Sequence, residues 1–108
     1  MVTDAEWARI RDGLHLGQVI EGAVVQVPRP GTIGIFVDVG LPVGGLVDVL
    51  LLPEWGEDWP AEGTVMDFEV WWVDSRQQIR LKPRDPRYLR ADFPEFVARF
   101  RPDWPLGD

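Results

Sequence analysis

Between residues 17 and 83 the chain runs as five short apolar stretches separated by glycine and proline, and this rhythm limits the fold more than any other feature. The stretches span residues 19–27, 33–39, 46–52, 64–73 and 78–82. Apolar and polar residues alternate along them, the mark of a strand with one buried face. Met66, Phe68 and Val70 alternate with Asp67 and Glu69, and Ile35, Val37 and Val39 alternate with Gly34, Phe36 and Asp38. Val47 and Val49 are expected inside the third strand with Asp48 outside, and Ile79 and Leu81 inside the fifth. Gly22 reads as a bend or bulge where the first strand curves. The alternation stumbles at Trp71-Trp72-Val73, which predicts a bulge that turns one tryptophan outward. Pro28-Arg29-Pro30-Gly31 cannot join a ladder and reads as a loop, and Asp74-Ser75-Arg76-Gln77 supplies turn chemistry. Five short strands so spaced fit a small barrel.

Helical patterns flank this region. Thr3 and Glu6 match a capping box, and Trp7, Ile10 and Leu14 recur at helical spacing before Gly17. After Pro83 the texture changes: Asp92-Phe93-Pro94 opens a second helix, with Asp92 as cap and Phe93, Phe96, Val97 and Phe100 along one face. The expected architecture is all-β with flanking helices. It comprises an N-terminal helix within residues 1–16, a five-stranded barrel over 17–83, and a helical extension over 84–108 packed on the barrel.

At 108 residues the chain is long enough for one modest core. Cysteine is absent, which excludes disulfides and thiolate metal sites. No apolar run approaches a membrane span, and residues 1–13 lack a secretory pattern, so a cytoplasmic protein with no membrane partner is expected. One lysine against ten arginines suggests a GC-rich bacterial genome. The net charge is −7, and the 17–83 stretch holds most of it: ten carboxylates against Arg29, Arg76, Arg80 and Lys82. A polyanion binder gains affinity by replacing counterions with Lys and Arg, so such a barrel starts from the wrong side.

The motifs GQVIEGAV, GIFVDVG, GGLVDV and VDSRQQIRL, in that order and spacing, resemble those of an S1 domain, a five-stranded OB-fold barrel. The resemblance covers about 67 of the 108 residues, those from 17 to 83. It implies single-stranded RNA as ligand and a face built at Ile33, Phe36, Asp48, Asp74 and Gln78. Phe36 and Asp74 match the family pattern. Ile33 stands where the family has a second aromatic, Asp48 where it has histidine, and Gln78 where it has a basic residue. Stacking on an aromatic is worth roughly 1–3 kcal/mol per base, so losing one ring and one cation implies weak binding. The nucleic-acid-binding candidates are therefore Phe36, Asp74, Arg76, Arg80 and Lys82, with an outward tryptophan beside them.

Catalysis has little to stand on. His15 is the only histidine, and Ser75 beside Asp74 has no histidine to act as its base. No cofactor, metal site or small-molecule substrate is expected, and the chain reads as a binding module and not an enzyme. The segment around Trp55, Glu57, Asp58 and Trp59 mixes large apolar surface with negative charge. Either both rings cap the barrel, or with Trp72 they form a docking site for a basic protein partner, as an inhibitor or immunity-type protein would. The arginines Arg84, Arg87, Arg90, Arg99 and Arg101 are expected to pair with Asp85, Asp92 and Glu95.

Overall fold

A computed structural model describes residues 2–28 and 33–104. Backbone pairing closes five strands into a barrel in the order β1-β2-β3-β5-β4. The strands are β1 (Val19–Gln26), β2 (Gly34–Asp38), β3 (Gly45–Asp48), β4 (Val65–Trp72) and β5 (Ile79–Pro83). All neighbours are antiparallel except β3 and β5, which run parallel. The period-2 alternation decides what lies inside: Val24, Ile35, Val37, Val47, Phe68, Val70, Ile79 and Leu81 are almost fully buried. The expected all-β barrel with flanking helices is what forms. Of the loop expected at Pro28-Arg29-Pro30-Gly31, the part from Arg29 on lies outside the described residues.

Two details depart from expectation. The β1 bulge falls between Val24 and Gln26, not at Gly22. Gly22 marks a close approach instead, because a Cβ there would stand 2.6 Å from Val37 Cγ1. The third strand stops at Asp48 and does not reach Leu52. Asp48 Oδ1 accepts from the Leu50 backbone N–H at 2.9 Å, and this local bond turns Val49–Leu51 into a short 3-10 helix. Leu51 and Leu52 consequently swing into the core while Leu50 is left outside. The bulge expected after Val70 is present, with the β4–β5 register shifting between Val70 and Trp72.

The N-terminal helix α1 (Asp4–Asp12) carries the expected reciprocal cap: Thr3 Oγ1 accepts from Glu6 N at 3.1 Å, and Glu6 Oε1 accepts from Thr3 N at 3.2 Å. Its buried Trp7 donates from Nε1 to the Asp74 carbonyl at 2.9 Å, and Arg11 donates to the same oxygen at 3.0 Å. The helix thus fixes the turn between β4 and β5.

The C-terminal helix α2 (Phe93–Phe100) packs Phe93 and Phe96 against the barrel. Phe100, expected on that face, is mostly exposed. Asp92 stands at the N-cap position but makes no capping bond, because Arg90 Nε and Nη2 take its carboxylate. Arg90–Asp92 is the one expected arginine pairing that forms among the described residues; Arg84 reaches Asp67 on β4 instead, at 3.8 Å. Arg101 stacks among rings, 4.3 Å from Trp71 and 4.9 Å from Trp104, and donates to the Trp71 carbonyl at 2.6 Å.

Candidate functional site

The ladder registers place one outward-facing row across four strands. Phe36 on β2 pairs with Leu46 on β3, Leu46 with Arg80 on β5, and Arg80 with Trp72 on β4. With adjacent strands about 4.8 Å apart, the row is roughly 14 Å long. It depends on the parallel β3–β5 contact, which brings GGLVDV beside QQIRL. Trp72 belongs to the row because of the β4 bulge, which leaves its ring 48% exposed. Leu46 was not singled out in the sequence, though its place in strict alternation with the buried Val47 already put it outside.

Charges flank the row in pairs. Arg80 Nη1 lies 3.3 Å from Asp48 Oδ2. Asp74 Oδ1 accepts from the Arg76 backbone N–H at 2.8 Å, with the Arg76 guanidinium 3.5 Å from Oδ2. The backbone bond from Arg76, aided by its guanidinium, holds the Asp74 carboxyl below its ordinary range, so it stays ionised. These groups line a cleft of about 260 Å³ between β5 and α2, walled by Trp72, Leu81 and Phe96. Phe96 comes from the C-terminal helix, beyond the reach of the barrel motifs that led to the other residues.

Two candidates move out of their expected places. Lys82 is only 7% exposed; its Nζ donates to Glu69 Oε1 at 2.7 Å and to the Pro83 carbonyl at 3.1 Å. It also lies 5.2 Å from the Phe93 ring centre, beneath α2, so its charge is spent inside the fold. Trp59 is 6% exposed and donates from Nε1 to the Pro53 carbonyl at 2.8 Å, which makes it part of the core and no docking surface. Trp55, which leads into the 3-10 turn Gly56–Asp58, is 63% exposed, and Glu57 and Asp58 of that turn are exposed as well. The two rings thus part company, Trp59 buried and Trp55 exposed. Ile33 is exposed just before β2, and Gln78 immediately precedes β5 without a charge to offer.

In Gly34 the site has a rigid edge. Its φ is +137°, and a Cβ there would collide with the Val47 carbonyl oxygen, so only glycine lets β2 lie this close to β3.

No family model matches the chain, and no curated protein matches it in sequence. Solved structures do. A multidomain protein with nucleic acid binding domains from Streptococcus pneumoniae superposes with a TM-score of 0.53 at 29% identity, over 68% of this chain. The match spans 26% of that protein's length. GSP13 from Bacillus subtilis superposes with a TM-score of 0.55 at 19% identity, over 76% of this chain and 69% of its own. Closed five-strand order and these likenesses agree: the barrel is an S1-like OB fold.

Proposed function

We propose that this chain is a non-catalytic module that binds single-stranded RNA across β2, β3, β5 and β4. The observation that carries the reading is the registered row Phe36–Leu46–Arg80–Trp72, which spaces two π surfaces and a cation along one outward-facing line, Trp72 exposed and the other three half-buried. The likeness to a protein with nucleic acid binding domains supports it. Aromatic rings hold bases by stacking, and Arg80 and Arg76 meet the backbone. Each arginine already has a carboxylate beside it, which weakens its pull on phosphate. Affinity in this reading rests on stacking more than on charge. For two phosphate contacts, the log–log salt slope is only about −1.4 on single strands.

Binding of a labelled 10-nucleotide RNA, followed by anisotropy at low salt, tests this. Phe36→Ala and Trp72→Ala are each expected to cost roughly 1–3 kcal/mol. No binding by the wild type at high micromolar protein eliminates the reading.

Trp55 supports a second reading. It stands exposed at an open groove of about 1040 Å³ whose lining includes Glu54, Glu57 and Asp58, against Arg87 and the Arg90–Asp92 pair, so that carboxylates outnumber cations there. Such a rim is complementary to a basic protein segment, with Trp55 as the apolar anchor. Calorimetric titration with an arginine-rich peptide, wild type against Trp55→Ala, is the test; equal heats from both proteins remove the groove.

A further inference from the structure

We infer that the cleft between β5 and α2 selects guanine, and that the Asp48 carboxylate is the group that reads it. The inference rests on the nucleic-acid reading above and gives a role to the acidic groups which that reading leaves as a burden. Facing a phosphate, a carboxylate only repels. Facing a base edge, it is a pair of acceptors, and it discriminates among donors.

The cleft gathers Asp48, Asp74, Arg76, Arg80, Trp72 and Phe96 around about 260 Å³. Of its two carboxylates, Asp74 is occupied: the Arg76 backbone holds one oxygen at 2.8 Å and the Arg76 guanidinium faces the other. Asp48 is the more available. The Leu50 N–H fixes one oxygen at 2.9 Å, and the second has only the longer 3.3 Å contact to Arg80. An ionised carboxylate offers about four acceptor positions, so roughly two remain on a side chain whose direction the backbone has already set. No such preset acceptor is needed to bind phosphate.

Guanine alone among the four RNA bases carries two adjacent donors on its Watson–Crick edge, N1–H and the N2 amino group, spaced to meet both oxygens of one carboxylate. Uracil has a single donor between two carbonyls. Adenine and cytosine set an amino group beside a ring nitrogen, whose lone pair would face the second carboxylate oxygen. The wrong bases are thus rejected by acceptor–acceptor repulsion as well as by a missing bond. Trp72, opposite Arg80 on the neighbouring strand and half exposed, gives the base a face to stack on. Arg76, with its side chain 74% exposed at the rim, is placed to meet the adjoining phosphate. Phe96 closes the far wall, so α2 takes part in the site.

The test compares uridine decamers carrying one central guanosine, inosine, adenosine or cytidine with the all-uridine strand, by anisotropy on the intact chain. Guanosine is expected to bind about tenfold or more tighter than uridine, and inosine, which lacks the N2 amino group, between the two. Asp48→Asn keeps a capping oxygen for Leu50 and removes the second acceptor. It is expected to bring guanosine and uridine within about twofold while all-uridine binding stays level or tightens, since a repulsive charge is gone. Equal binding of all five strands by the wild type, or a guanosine preference that survives Asp48→Asn, overturns the inference and leaves the RNA reading standing. No binding of any strand overturns both.

Discussion

Lys82 carries a charge that never reaches the face it was expected to serve. Composition makes a lysine on the fifth strand look like a phosphate ligand; only the β4–β5 register, which sets it opposite Glu69, and the landing of α2 above it decide otherwise. Removing one partner of such a pair strands the other, whereas an apolar isostere removes the need for pairing. Glu69→Ala is therefore expected to lower unfolding stability by about 2–4 kcal/mol, reduced from the fully buried case because Glu69 keeps some solvent contact. Lys82→Met is expected to stay within about 1 kcal/mol of the wild type and to leave RNA affinity unchanged. Urea unfolding reads the first two quantities; a tenfold loss of RNA binding in Lys82→Met returns Lys82 to the site. Gly34 is the opposite case, a residue whose importance a sequence motif shows but whose cause only the backbone supplies. Gly34→Ala is expected to cost more than about 2 kcal/mol, because it combines a left-handed φ with a clash against the Val47 carbonyl.

At the level of elements, patterning succeeded wherever local chemistry decides the outcome. The Thr3–Glu6 cap forms as read, and hydrogen bonds from Thr3 pull the Glu6 carboxyl below its ordinary value of 4.5. A carboxyl with a depressed folded-state pKa adds stability above its unfolded value and loses it as pH falls through the folded one. The contribution of the Glu6 side of the cap is thus intact at neutral pH and declines from about pH 4.5 downward. Thermal unfolding from pH 7 to pH 3 is expected to show a gap between wild type and Glu6→Ala that narrows over that acid range. A gap that stays constant contradicts the linkage. Patterning failed where a side chain competes with the ladder or a loop closes on itself. Asp48 looked like an outward strand residue, yet its bond to Leu50 ends β3. Trp55 and Trp59 were indistinguishable as letters in one loop, and only the Trp59 bond to Pro53 separates the buried ring from the exposed one. The pairing of Arg90 with Asp92, likewise, cost α2 the cap that its sequence suggested.

On the scale of the whole molecule, five strands and their inward faces were legible because alternation is local. The outward-facing row was not, since it exists only through long-range pairing of β3 with β5 and β5 with β4. A net charge of −7 pervades this arrangement. It opposes any polyanion at a distance, while the proposed contacts of the row and cleft are short-range. RNA affinity is accordingly expected to be modest and to change by less than about tenfold between 50 and 200 mM salt, unlike the steep loss of a protein making many phosphate contacts. The most direct measurement is a two-dimensional amide NMR titration with single-stranded RNA at 50 mM salt. The shifts are expected to cluster at Gly34–Asp38 of β2, Gly45–Asp48 of β3, residues 76–80 and Trp72, with β1 and α1 little changed. Shifts confined to the Trp55 loop, or an unchanged spectrum at high micromolar RNA, contradict the placement of a nucleic-acid face on this side of the barrel.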